Sequence, residues 1–274
     1  MKKSLCILLA LALLLGCAAC GSRSAGGRDN IRIIATLVEQ DYSLAFRVDD
    51  PTQKYIDAAL KVLMANGTVD ELTDKWLGER IIRFDRDLLA LEKLSEKEEI
   101  APRDLIVGVD VNSFPMAYLT DKGAFWGFDI QLAMAATDLL GWNLKLQPIE
   151  KEDVYIELSS GNIDVAWGGI ALNEKELKEG LYSQLGPYVH NDIVIAARSG
   201  SFIYNTLMLS GKRLVMNSTT EAMDALNVDP RLARRLGQIT RMAKGTAECF
   251  QALGEGKCDV VLADSTAVCH FNHR

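Results

Sequence analysis

The chain has 274 residues, 49% of them hydrophobic and 24% charged, with a formal charge of −7. This is the composition of a globular protein large enough for two lobes, and nothing in it points to nucleic acid as a partner.

Residues 1–20 are a different material: Lys2 and Lys3, an apolar run from Leu5 to Leu15, then Gly16-Cys17-Ala18-Ala19-Cys20. The run is too short to span a bilayer and ends in small residues, which reads as a cleaved export signal. Its endings, Leu-Leu-Gly-Cys and Ala-Ala-Cys-Gly, resemble the bacterial lipoprotein box, whose cysteine thiol receives a diacylglyceryl group. Cys17 has the better upstream Leu14, and Cys20 has the more typical Gly-Ser after it. A plain signal peptide with incidental cysteines is the competing reading. Residues 21–30 read as a flexible tether.

Residues 31–48, IRIIATLVEQDYSLAFRV, predict two strand-like runs separated by a polar turn. A helix follows: Asp50 can cap it, Pro51 suits its first position, and Gln53 can reach back as in a capping box. Ile56, Ala59, Leu60 and Leu63 make its apolar face, and Asn66-Gly67 stops it. Thr68 opens another helix, with Val69, Leu72 and Trp76 on its buried side and Gly78 at its end. Residues 79–103 are charged and read as a linker, in which Leu88, Leu89, Leu91 and Leu94 can lay a helix along the neighbouring surface while Glu96 to Glu99 stay solvated.

From 105 the pattern becomes strand, loop, helix, strand, helix, strand. LIVGVD is a buried run, the segment after Gly127 places Ile130, Ala133, Met134, Thr137 and Leu140 on one helical face, and NLKLQPI alternates. A helix near Val154 to Leu158 ends at Gly161, and IDVAWGGI supplies another strand. This βαβ order predicts a mainly parallel sheet, with ligands outside the carboxyl ends of its strands, so VNSFP and WGGIALN are the first loops to consider. Further on, RLVMN is a strand, Asn217, Ser218, Thr219 and Thr220 start a helix, and DVVLAD ends at Asp264 before a helix from Ser265.

Cys249, Cys258 and Cys269 allow at most one intramolecular pair, and no spacing suggests zinc; they read as structural thiols. His190, His270 and His273 are scattered, the last two in a polar tail, so neither a metal site nor a histidine-based triad is supported.

The run GVDVNSFPMAYL…GFDIQLA, then ELSSGNIDVAWGGIAL, then LYSQLGPYV resembles the extracellular amino-acid-binding proteins of ABC importers, family 3 of the bacterial solute-binding proteins. Order and spacing over about a hundred residues make this more specific than any one piece. The resemblance implies an α/β fold of the periplasmic-binding-protein type II class, two lobes joined by two hinge strands that close on a ligand. YSLAFRVDDPTQKYIDAALKVLMANGTVDELTDKWLG resembles the C-terminal end of the same family, yet here it precedes the family's beginning. The chain therefore reads as a circular permutant, with a truncated tandem as the rival history. On that reading lobe 1 is 41–193, containing the permutation linker 79–103, and lobe 2 is 31–40 plus 194–274; Ile31 to Ala35 should share a sheet with Val260 to Ala263.

The resemblance also implies a binding site. Asp264 stands where a carboxylate receives the ligand's α-amino group, and Thr219 or Thr220 stands where hydroxyls and helix amides meet its carboxylate. Without any ligand, Asp264 and one of Asn217 to Thr220 would serve as helix caps. Trp167 and Phe114 are candidate apolar walls. Gly168, Gly169 and Ala171 stand where Ser or Thr is common, Ser113 at an expected Tyr, and Lys151 near another aromatic position. Glu176 occupies the place of the Arg that clamps the ligand carboxylate, and the adjacent Lys175 cannot reproduce a guanidinium fork.

Three function classes follow: a solute-binding lipoprotein, an interaction or sensing module that has lost amino-acid capture, and a cyclohexadienyl-dehydratase-like enzyme with Glu176 as its one acid candidate. The first is the expectation: no enzyme, no cofactor and no metal, but a monomer outside the cytoplasm, lipid-anchored through Cys17 or Cys20, serving an ABC permease and capturing an amino acid or amine-like molecule.

Overall fold

The computed structural model describes residues 30–274 apart from 80 and 244. Cys17, Cys20, the rest of the segment expected to be an export signal, and all but the last residue of the expected tether lie outside the described residues.

One eight-stranded sheet, curled through both lobes, has the order β5-β2-β6-β1-β7-β10-β8-β9. Its centre is a ribbon of two long antiparallel strands, β1 (Ile31–Phe46) and β7 (Ser183–Arg198). The sequence predicts a turn in the middle of β1, but Glu39, Gln40 and Asp41 continue the ladder opposite Asp192, Asn191 and His190. The segment holds neither Gly nor Pro, and its polar residues lie where the ribbon crosses between lobes. Irregularities at Ile33/Ala35, Thr36/Val38 and Tyr42/Leu44 bend the pair instead of breaking it.

On one side, β2 (Asp104–Val109) runs parallel to β5 (Asn143–Pro148) and to the short β6 (Val165–Ala166), and β6 pairs with β1 through Ala45 and Ala166. On the other, β10 (Val260–Asp264) runs antiparallel to β7 and parallel to β8 (Arg213–Asn217), which is parallel to β9 (Gln238–Met242). Ile31 to Ala35 thus lie in the same sheet as Val261 to Ala263, on opposite sides of β7. A separate two-stranded piece pairs β3 (Tyr118–Leu119) with β4 (Phe125–Trp126).

Each lobe buries both faces of its sheet, as parallel strands require. In lobe 1, Leu105, Val107 and Val109 of β2 meet α1 (Thr52–Ala65), α2 (Thr68–Trp76) and α4 (Phe128–Leu140), while Ile149, Ile163 and Leu158 of α5 (Val154–Ser159) fill the other face. In lobe 2, Leu214, Met216 and Leu262 pack below α7 (Thr220–Val228), and Val215 and Val261 pack against α9 (Thr246–Gly254) and α10 (Ser265–His273).

Several local expectations are corrected. Met134 is exposed, because the buried arc of α4 runs through Leu132 and Ala136 beside Ile130, Ala133 and Leu140. Gln53 makes no capping box; its side chain crosses to β7, donating to Gln184 O at 3.1 Å and accepting from Ser183 Oγ at 2.8 Å. Asp50 still holds the start of α1, accepting from Thr52 N at 2.8 Å. The linker forms a one-and-a-half-turn helix, α3 (Ala90–Ser95), against α1; Leu91 packs on the core, and Leu88 and Leu89 stay in solvent.

His270 is not in a polar tail. It is fully buried on α10, where its Nδ1–H donates to Trp76 O at 2.6 Å and its ring stacks on the indole at 5.7 Å. Burial pushes the imidazole down to about 4, so it is neutral near pH 7. Gly78, with φ at +71°, is where α10 closes down, since any Cβ would run into the His273 ring.

Candidate functional site

A small cavity of about 30 Å³ lies between the lobes, lined by Asp110 and Asn112 from lobe 1 and by Ile193, Asn217, Thr219, Glu221 and Asp264. Beside it opens a groove of about 260 Å³ that adds Glu150, Lys151, Glu152 and Ser218. The parallel strands explain this placement: Asp110 follows β2, Asn217 ends β8 and Asp264 ends β10, so carboxyl-terminal strand ends from both lobes face each other.

Asp264 has a built environment. Tyr42 Oη donates to its Oδ1 at 3.0 Å and Asn191 Nδ2 donates to the same oxygen at 2.8 Å. The carboxylate does not cap α10. Asn191 does that, its Oδ1 accepting from Thr266 N at 3.2 Å and Thr266 Oγ1 at 3.1 Å. One fully buried amide on hinge strand β7 therefore caps the helix and orients the acid. Burial first, then the charge of Glu221, pushes Asp264 up to about 6.

Asp110 faces it from lobe 1. Its Oδ1 accepts from Asn112 N at 2.8 Å and its Oδ2 from Ser113 Oγ at 3.3 Å. Burial pushes this carboxyl up to about 6 as well. Lys151 and Glu221 form an ion pair across the cleft, both largely withdrawn from solvent. Around the cavity, three carboxylates thus face one ammonium group, an arrangement that favours a cationic guest. The cavity of about 30 Å³ by itself holds only one or two waters, and it shares Asp110, Asn112, Thr219 and Glu221 with the larger groove beside it, so a solute has to use both.

Of the residues singled out in the sequence, Asp264 and Thr219 line the cavity. Thr219 also caps α7, its Oγ1 accepting from Ala222 N at 3.3 Å, and Thr220 is the first residue of that helix. Ser113 is a support beneath the site: its one hydroxyl proton is shared between Asp110 Oδ2 at 3.3 Å and Gly169 O at 3.1 Å. Gly169 sits behind it, and Ala171 makes a single β-bridge with Tyr42.

Trp167 is no cleft wall. It lies two residues after Val165, and side chains alternate along a strand, so both point into the lobe 1 core. There its Nε1–H donates to Asp129 Oδ1 at 3.2 Å, while Asp129 Oδ2 accepts from Tyr188 Oη at 2.6 Å and Gly169 N at 2.7 Å. Despite three donors, burial pushes Asp129 up to about 7. Phe114 does not line the cavity; it lies against Tyr118, His270 and Phe271 and lines an adjoining groove of about 480 Å³ that shares Asn112 and Thr246 with the cavity. Glu176 is on α6 (Glu174–Lys178), where its charge acts on Tyr182, away from the cavity.

Tyr42, Asn191, Asp110 and Glu221 are the site residues that sequence reasoning missed. Asp110 carried a readable signal: it ends LIVGVD as Asp264 ends DVVLAD. Tyr42 and Asn191 carried none, because their roles depend on how two strands distant in sequence cross.

Among the described residues, no group of three or more His, Cys, Asp or Glu is placed to hold a metal, and no helix is long and apolar enough to cross a membrane. Cys249, Cys258 and Cys269 are free thiols.

Among curated proteins, the chain is 22% identical over 176 residues to the L-cystine-binding protein TcyJ of Bacillus subtilis, covering 64% of this chain and 65% of that one. It is 29% identical over 169 residues to the membrane-bound lytic murein transglycosylase F of Klebsiella pneumoniae (59% and 32%). It is 22% identical over 156 residues to a cyclohexadienyl dehydratase of Pseudomonas aeruginosa (55% and 55%). The match spans less than two thirds of the length of each relative. A polar amino acid ABC uptake transporter substrate-binding protein from Streptococcus thermophilus is similar in structure, with 26% identity, a TM-score of 0.43, and 59% of this chain and 61% of that chain covered. The family described as "Bacterial extracellular solute-binding proteins, family 3" matches residues 105–242, half of the chain. With strand-end carboxylates meeting between two α/β lobes, this match makes the chain a member of that family.

Proposed function

We propose that the protein is the solute-binding component of an ABC importer, exported and anchored by lipid on Cys17 or Cys20, and that it captures an amino acid or amine-like cation between its lobes. The observation that carries the reading is Asp264, held by Tyr42 and Asn191 at the cavity and opposed by Asp110 and Glu221. An ammonium entering this site would find ionised acceptors already oriented. Closure would bring residues 41–193 onto 31–40 plus 194–274, with the β1/β7 ribbon as hinge. A thermal-shift screen of amino acids and small amines tests it: a true ligand at about a hundredfold its dissociation constant adds roughly 2.7 kcal/mol of stability.

A second reading, an interaction module without solute capture, is favoured by the Lys151–Glu221 pair across the cleft and by Glu176 in the place of a clamping Arg. No stabilisation by any amino acid or amine in the same screen would select it. The enzyme reading has less support, since its acid candidate Glu176 lies away from the cavity.

The permuted history belongs to the same proposal. Residues 31–77, outside the family match, supply the hinge strand and the two helices that the family carries at its end, and the linker bridges the old termini.

A further inference from the structure

One pole of lobe 2 carries chemistry that the cleft does not use. Strands β8, β9 and β10 begin at Arg213, Gln238 and Val260; antiparallel to them, β7 ends at Arg198, and β1 begins beside that end at Ile31. These five strand ends form one edge of the sheet, opposite the edge where Asn217 and Asp264 line the cavity. The connection from β7 to β8 crosses this far edge with its large side chains in solvent: Phe202 is 86% exposed, Leu207 70% and Tyr204 55%.

The segment is held in that pose. Arg32 donates to Ser199 O at 3.4 Å, Ser201 O at 3.3 Å and Ile203 O at 2.8 Å, and its guanidinium lies 4.4 Å from the centre of the Tyr204 ring. Ile203 and Leu209 anchor in the core, so the apolar residues between them are turned outward. Next to the apolar segment, α8 (Pro230–Arg235) packs on the 3-10 turn Thr206–Leu209, and Gly211 N donates to Arg235 O at 2.8 Å. Arg231, Arg234 and Arg235 are exposed on that helix and make no ion pair among the described residues. The nearby Asp229 carboxylate is occupied in capping the helix. A cluster of aromatic, aliphatic and cationic side chains is thus displayed on a chain of formal charge −7.

The chain enters the fold at this same pole: Ser199 N donates to Asn30 O at 2.6 Å. Cys20 is ten residues upstream, and ten residues span at most about 35 Å when extended. We infer that this pole of lobe 2 is a docking surface for an anionic bilayer, with Phe202, Tyr204 and Leu207 in the headgroup layer and Arg231, Arg234 and Arg235 on lipid phosphates. The inference rests on the lipoprotein reading for what keeps the pole near the membrane. It gives the anchored protein a resting orientation in which the solute cleft faces away from the bilayer, and from which it must release to meet a permease.

The test supplies the anchor artificially. The chain from residue 21, which keeps every residue of all four core clusters, is attached through an N-terminal hexahistidine tag to vesicles bearing nickel-chelating lipid, with phosphatidylglycerol or phosphatidylcholine as bulk lipid. Hydrogen exchange is read for 199–210 and 230–236. The expected result is at least about fivefold slower exchange there on phosphatidylglycerol than for free protein, lost in Phe202→Ser/Leu207→Ser and in Arg234→Glu/Arg235→Glu. Unchanged exchange in tethered wild type overturns the proposal, as does protection that is equal on both lipids and insensitive to the variants. A third arm replaces the vesicles with native membranes, and protection seen only there also overturns the proposal and assigns the surface to a protein. Because the tag replaces the lipid, a negative result leaves the lipidation of Cys17 or Cys20 to its own experiment.

Discussion

Asn272 is hydrogen-bonded to both backbone groups of Ile31: its Oδ1 accepts from Ile31 N at 2.6 Å and its Nδ2 donates to Ile31 O at 2.9 Å. One side chain near the last residue thus ties down the first strand, across 241 positions of sequence.

That closeness makes the permuted history testable. Joining Arg274 to Asn30 by a short Gly-Ser linker and opening the chain between Glu99 and Ile100 should give a protein that still folds cooperatively. Ends that meet at a surface can be joined, and an exposed linker can be cut, without removing core contacts. Circular dichroism melting is the measurement; a relinked chain without a cooperative transition would count against the reading.

Lipid attachment should require Cys17 or Cys20. Metabolic labelling with a fatty acid, in wild type and in Cys17→Ala and Cys20→Ala variants, should abolish the label in one variant and spare it in the other. No label in wild type rejects the anchor.

Asp264→Ala should weaken binding of an amine ligand by roughly thirtyfold to several thousandfold, because a buried ammonium left without its acceptor costs about 2 to 5 kcal/mol. Glu176→Ala should change affinity little, since that carboxylate lies by Tyr182. Calorimetry on both variants checks the ranking, and unchanged affinity in a folded Asp264→Ala protein would sink the ammonium role.

The contrast between these two carboxylates shows what could be read in advance. The place of Asp264 at the cavity is readable from the family resemblance and from its position as the last residue of a five-residue strand, since the cleft lies at strand ends. Trp167 differs: the resemblance to the family's aromatic wall suggests a place in the cleft, but strand alternation puts it with Val165 in the core. β1 is readable locally in its two strand-like runs and not in the junction between them. Its polar centre resembles a turn in isolation and becomes a strand only because β7, some 150 residues away, offers a matching ladder. His270 is hidden for the same reason, since the sequence HFNHR looks like a solvated end until α10 is seen lying on Trp76.

Asp129 should be a stability determinant. All three of its partners donate to it, so the NH2 group of Asp129→Asn would face Gly169 N–H in one orientation and Trp167 Nε1–H in the other, a buried clash of donors either way. The expected loss is about 2 to 4 kcal/mol in urea unfolding, more than for the isosteric change at an exposed Asp. A loss under about 0.5 kcal/mol would mean that the hub is dispensable.

The pH dependence of stability and of binding should run in opposite directions. Asp110 and Asp264 are raised to about 6 and Asp129 to about 7 in the folded protein. A carboxyl raised above its unfolded value of about 4 binds its proton more tightly when folded, so these groups favour the fold at low pH. Their contribution is lost as the pH rises from about 4 through 6 to 7. It falls at a rate of up to about 1.4 kcal/mol per pH unit for each group that is protonated in the folded state and ionised in the unfolded one. Binding an ammonium has the reverse sign, because the cation needs ionised acceptors: below 6, affinity should rise by up to about tenfold per pH unit for each of Asp264 and Asp110 that must lose its proton, and level off above it. Melting curves between pH 4.5 and 8, with and without ligand, read both. Across pH 5 to 7 these acids should pull the ligand-free melting temperature down while the ligand-induced increment grows. An increment that stays constant across that window would show that neither carboxylate receives the cation.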